Sequence, residues 1–117
     1  MYQLKMTPEM AKLHNTLRQK ILAGNANADE QKLWKQLGKT FRMLSENPRH
    51  PGLNSHKIQG LPANYGDIWE SYMENHTPGA KRIFWRYGPG ANAITLYAVE
   101  LHPENTRDYR KIQRGGQ

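Results

Sequence analysis

The sequence predicts an α+β fold in which an N-terminal strand and an antiparallel helical hairpin pack on a small antiparallel β-sheet. Three observations carry this. Two stretches in the first half repeat apolar residues at helical spacing between recognisable caps, the spacing changes to simple alternation from Ile58 onward, and the alternating segments are bounded by Gly- and Pro-rich turns. At 117 residues the chain, taken as residues 1–117, is long enough for one domain with its own core and too short for two.

Tyr2 to Met6 alternates over a short stretch and reads as a strand. Thr7-Pro8-Glu9 then has the chemistry of a helix start: a hydroxyl N-cap, Pro at the first helical position and an acid where the helix dipole favours it. Met10, Leu13, Leu17 and Ile21 repeat at helical spacing until Gly24 stops the run. A second start follows at Asn27-Ala28-Asp29-Glu30. Its apolar stripe is Leu33, Trp34, Leu37, Phe41 and Leu44, with Lys32, Lys35, Lys39 and Arg42 largely outside it. The stretch Asn47-Pro48-Arg49-His50-Pro51-Gly52 is turn chemistry and ends this helix. Asp67 to Met73 sets Trp69, Ser71 and Met73 against Ile68, Glu70 and Tyr72. Ala80 to Tyr87 sets Ile83, Trp85 and Tyr87 against Arg82, Phe84 and Arg86. Asn92 to Leu101 is a third strand after the turn Gly88-Pro89-Gly90. Pro103 opens a short basic C-terminal helix or tail, and residues 113–117, with Gly115-Gly116, read as a disordered end.

Composition narrows the function classes. There is no cysteine, which excludes disulfides and thiolate metal sites. The mean hydropathy is -0.91 and no apolar run approaches the ~20 residues of a spanning helix, so no membrane role is expected. The N-terminus shows no secretory pattern, and a cytoplasmic location is the expectation. The formal net charge is +7, from 17 Lys and Arg against 10 Asp and Glu, which favours a polyanionic partner. Up to Gly60 there are ten basic and four acidic residues, and after it seven and six, so the excess sits on the helical half.

Helices on one face of a sheet leave the other face to water or a ligand. On that face Arg82 and Arg86 share one side of a strand, Glu70 and Tyr72 share one side of its neighbour, and His102 ends the last strand. Together they supply phosphate clamps, an acid/base pair and stacking surfaces, which suit a single-stranded nucleic acid. Plainer readings stand beside these. Arg82 opposite Glu70 is also what an ordinary cross-strand ion pair looks like, Trp69 and Trp85 share faces with core residues, and His102 before Pro103 also fits a simple strand end. His14 reads as a surface residue on its helix. His50, His56 and His76 fall in or near loops, no pair has the spacing of a helical zinc site, and no metal or other cofactor is expected.

The ordered series of motifs resembles the RelE/ParE superfamily of type II toxin-antitoxin toxins, especially its messenger-RNA-cleaving branch. The resemblance runs from Asn47-Pro48-Arg49-His50-Pro51-Gly52-Leu53 through His56-Lys57-Ile58-Gln59-Gly60 and Ile68-Trp69-Glu70-Ser71-Tyr72. It continues along Pro78-Gly79-Ala80-Lys81-Arg82-Ile83-Phe84-Trp85 to Leu101-His102-Pro103, covering roughly residues 40 to 105. It implies a RelE-like β-α-α-β-β-β domain and a metal-independent endoribonuclease that cuts mRNA, in many members on the ribosome, and so arrests translation. In such enzymes the ribose 2′-hydroxyl attacks the adjacent phosphate. The resemblance places Arg82 as the phosphate-stabilising cation and His102 as the general acid. Lys57 and Arg86 are phosphate contacts and Tyr72 orients or stacks on the nucleotide. Glu70 is the candidate base from chemistry alone. Arg107, Tyr109 and Arg110 contact substrate or are covered by antitoxin. The implied partners are a cognate antitoxin, in a possible toxin-antitoxin hetero-oligomer, together with mRNA and the rRNA of the ribosome. Two alternatives stay open: a ParE-like toxin that inhibits DNA gyrase without cutting nucleic acid, and an inactive basic module that binds RNA or antitoxin.

Overall fold

The computed structural model describes residues 1–74 and 81–101. The caps read from sequence set the helix limits. The Thr7 side chain accepts from Met10 N–H at 3.2 Å and starts α1 (Pro8–Ala23), which ends on Gly24 at φ 73° with its N–H turned back to the last carbonyls. Helix α2 (Ala28–Glu46) opens on a reciprocal cap: Asn27 accepts from Glu30 N–H at 2.8 Å while Glu30 accepts from Asn27 N–H at 3.0 Å. The Lys20 side chain, hydrogen-bonded to Glu30, and the Asn27 N–H hold the Glu30 carboxyl below its ordinary pKa. A depressed carboxylate pKa contributes stability at neutral pH that is lost as the pH falls through the acid range. Asn27→Ala is expected to cost about 1 kcal/mol. In a thermal melt this appears as a drop in Tm of roughly 4 °C or more; an unchanged Tm would show that the cap carries no stability.

Five strands form one sheet: β1 (Gln3–Met6), β2 (His56–Lys57), β3 (Trp69–Tyr72), β4 (Lys81–Tyr87) and β5 (Ala93–Leu101), in the order β1-β5-β4-β3-β2. The wholly antiparallel sheet expected from sequence is corrected here, because β1 pairs with β5 in parallel, Gln3 beside Ala93 and Met6 beside Leu96. Parity explains it. Two helices bring the chain back to the end where β1 finished, so β2 runs against β1, and three further reversals leave β5 running with β1. The strand His56–Lys57 is a further correction, since His56 reads as loop in the sequence.

The α1–α2 hairpin covers one face. Met10 and Leu17 from α1 and Leu37 and Leu44 from α2 are buried with Met73, Ile83, Trp85, Ile94 and Leu96 of the sheet side. His14, expected at the surface, is instead half-buried between the helices, its ring 5.2 Å from that of Trp34 and 5.7 Å from that of Phe41. On β5 the alternation breaks: Phe84 pairs with Ala98 but Trp85 with Leu96, so Tyr97 is an inserted residue. The bulge puts Tyr97 and Ala98 on the same side, in a second buried cluster with Ile68 and Phe84.

That second cluster corrects the expectation of an open face. Ile58, Leu61 and Tyr65, from the segment between β2 and β3, pack over it and close part of the sheet opposite the helices.

The core also holds a directed polar chain. Trp85 Nε1 donates to Ser71 Oγ at 2.8 Å, Ser71 and Ser55 hydroxyls meet at 2.6 Å, and Ser55 Oγ donates to the Pro48 carbonyl at 2.6 Å. Because Ser55 spends its proton on Pro48, Ser71 is the donor to Ser55 and the acceptor from Trp85. This ties β4 to β3 and to the turn after α2. Ser71→Ala orphans the buried indole N–H and is expected to cost about 1–3 kcal/mol. Urea midpoints should show a smaller cost when the same change is made in a Trp85→Phe background; equal costs in both backgrounds would mean the hydrogen bond contributes nothing.

Candidate functional site

The turn after α2 sets up the site. His50 Nδ1 accepts from Gly52 N–H at 2.9 Å, capping the 3₁₀ turn Pro51–Leu53, and Asn54 takes the left-handed conformation (φ 48°) that redirects the chain into β2. His56 then pairs with Glu70 across the β2–β3 ladder, and Tyr72 pairs with Arg82 across β3–β4. Paired residues share a face, so His56, Glu70, Tyr72 and Arg82 stand together on the side away from the helices. Arg82 is therefore directly opposite Tyr72 and diagonal to Glu70, whose own partner is Phe84. Glu100 lies opposite Arg82 on β5.

The four side chains form one cluster around a buried carboxylate. Glu70 is 0% exposed, and its Oε1 lies 3.5 Å from Arg82 Nε and 3.3 Å from His56 Nε2. The Arg82 guanidinium carbon sits 3.7 Å from the centroid of the Tyr72 ring, a cation–π contact. The His56 ring meets Tyr72 edge-on at 6.1 Å, and its Nδ1 is 3.1 Å from the Asn54 carbonyl oxygen. Both ring nitrogens of His56 thus face oxygen acceptors, and only the doubly protonated ring donates to both. Exposure separates the roles. Arg82 keeps 13% of its side-chain surface in solvent and His56 46%, whereas Glu70 lies beneath them. Glu70 is placed to orient its neighbours rather than to touch a solute.

Arg82, Glu70 and Tyr72 are thus brought together as the sequence suggested, and His56 is the member that sequence reasoning missed. Its signal lay in the polar pair His56-Lys57, too short for a strand to be visible by alternation. Lys57 and Arg86 do not join the cluster. They line a separate cleft of about 460 Å³ with Gly66, Asp67, Trp69 and Tyr87. His102, Arg107, Tyr109 and Arg110, like His76, fall outside the described residues.

In that cleft Trp69 stacks on the buried Trp85 with ring centroids 5.4 Å apart and planes 17° apart, and the Arg49 guanidinium lies 5.0 Å from the Trp69 ring centroid. Tyr87 packs edge-on against both indoles. Burial pushes the Tyr87 phenol above its ordinary pKa, with Tyr2 adding to the rise and Arg49 opposing it, so it is a neutral hydroxyl at physiological pH.

Among the described residues no group of His, Cys, Asp or Glu could hold a metal ion, and no helix is long and apolar enough to cross a membrane. No family model matches the chain, and no curated protein or solved structure matches it either.

Proposed function

We propose that the chain is the toxin of a bacterial type II toxin-antitoxin pair, a RelE-like endoribonuclease that cuts mRNA by attack of a 2′-hydroxyl on the neighbouring phosphate. The observation that carries this reading is the cluster on the sheet face away from the helices: an arginine ion-paired with a buried carboxylate and lying over an aromatic ring, beside an exposed histidine. Cleavage of this kind needs a group to take the 2′-hydroxyl proton, a cation to offset charge on the pentavalent phosphorus, and a proton for the departing 5′-oxygen. Arg82 supplies the cation, and its fixed plane suits two phosphoryl oxygens. His56 is the exposed proton-exchanging group within the cluster: with Nε2–H directed at Glu70, the neutral ring takes the 2′-hydroxyl proton on Nδ1 once that nitrogen leaves the Asn54 carbonyl. Glu70 positions His56 and Arg82, the orienting role of the third member of a catalytic triad. The Tyr72 ring lies against the guanidinium, its centroid 3.7 Å from the guanidinium carbon, and helps to fix it. His102, placed by family resemblance alone, is the proposed proton donor to the leaving oxygen.

The proposed partners follow from charge. A helical half with ten basic and four acidic residues fits ribosomal RNA or an acidic antitoxin in the cytoplasm. Induction from a controlled promoter, with primer extension on cellular transcripts and a supercoiling assay on purified protein, tests the reading. Growth arrest with new 5′ ends is the expected result. Intact transcripts with inhibited supercoiling would overturn it in favour of the gyrase-directed reading, and unaffected growth in favour of an inactive RNA- or antitoxin-binding module.

A further inference from the structure

We propose that the cleft between Lys57 and Arg86 is a second binding site, which takes one internucleotide phosphate and the adjoining base of single-stranded RNA. The inference rests on the reading of the chain as an RNA-acting protein and adds to it a subsite outside the Arg82 cluster.

The cations are placed for it. Lys57, Arg86 and Arg49 are exposed, and neither Lys57 nor Arg86 has an ion-pair partner among the described residues. Arg86 is aimed by two features. Its Nη1 donates to the Tyr97 hydroxyl at 3.3 Å, and it passes over Gly66, where a Cβ would stand 3.6 Å from the same nitrogen. That distance is ordinary contact, and what favours glycine at 66 is its φ of 73°, where a side chain is strained.

The wall of the cleft supplies the aromatic part. Trp69 is fixed between Trp85 and the Arg49 guanidinium, and Tyr87, 38% exposed, presents the ring a base can pack against. Asp67, on the same lining, accepts hydrogen bonds only. It fits a base N–H and repels a second phosphate, which limits the cleft to one phosphate with its base. Arg86 is four residues beyond Arg82 on β4, roughly 13 Å at strand rise. An extended single strand crosses that distance in a few nucleotides, so one RNA reaches both sites.

The test is fluorescence anisotropy of a dye-labelled, uncleavable 2′-O-methyl RNA hexamer over a salt series, with cleavage followed in parallel. Lys57→Ala with Arg86→Ala is expected to weaken binding on the order of tenfold and to lower the salt slope by about 0.7 for the lost phosphate. Lys57→Ala alone, at an exposed position, should give a smaller loss in the same direction without altering the fold. An unchanged dissociation constant and slope in both variants would overturn the proposal, as would a blunt duplex of equal length binding as tightly as the single strand. Because the hexamer is not cut, loss of binding in these variants supports the cleft even if the wild-type protein leaves transcripts intact, and that combination would sink the nuclease reading alone.

Discussion

Arg82→Lys is expected to abolish growth arrest on induction and to lower transcript cleavage by about 10²-fold or more while leaving the Tm close to wild type. Lysine preserves the positive charge beside the buried Glu70, so the folded state keeps a cation where the carboxylate needs one. What it loses is the planar fork that holds two phosphoryl oxygens and the flat face that lies 3.7 Å from the Tyr72 ring centroid. Loss of one oriented donor at a developing oxyanion costs about 10²–10³ in rate. Arg82→Ala is the less informative change, because it leaves a carboxylate with 0% exposure beside an emptied position and confounds activity with folding. Primer extension and a thermal melt on the same preparation decide it. Cleavage at the wild-type rate with an unchanged Tm would reduce Arg82 to a structural role and remove the basis of the proposed mechanism.

Much of this arrangement was legible because local chemistry and global fold agree. Both helices begin and end where capping residues place them: Thr7 and Gly24 for the first, Asn27 with Glu30 and then Asn47 for the second. The alternation in β3 and β4 correctly separated Met73, Ile83 and Trp85, which meet the helices, from Glu70, Tyr72 and Arg82, which do not. The rest depended on long-range pairing. The parallel edge of β1 follows from counting reversals, a property of the whole chain and not of any segment. The cover over the second face comes from Ile58, Leu61 and Tyr65, whose i, i+3, i+7 spacing is helical but is interrupted by Gly60 and Pro62, so it gives no sign of a segment that lies across a sheet. His56 was hidden for the same reason. A two-residue strand has no periodicity of its own, and only its register with Glu70 reveals which face the imidazole joins. Ala98 shows the converse: alternation from Ile94 and Leu96 assigns it to the helix side, and the bulge at Tyr97 puts it on the face of Phe84.

Glu70 carries the largest expected effect on stability. Glu70→Ala removes a negative partner of an arginine that is only 13% exposed, and breaking a buried pair from one side costs about 3–5 kcal/mol. The cost has two parts, the cavity left by the side chain and the loss of one counter-charge beside the cation. Replacing both members, Glu70→Leu with Arg82→Met, removes the second part and fills most of the first. It is therefore expected to be less destabilising than Glu70→Ala by urea denaturation, since an apolar pair of similar volume has no desolvation cost to offset. The His56 imidazole, 3.3 Å from the same carboxylate oxygen, loses its orienting partner in either variant. If the apolar pair restores stability but not RNA cleavage, the ion pair is retained for chemistry that folding alone does not require. If it is as unstable as Glu70→Ala, the network includes contacts beyond Arg82 that the leucine cannot replace. A double variant that both folds and cleaves like wild type would show that this face of the sheet is not the site.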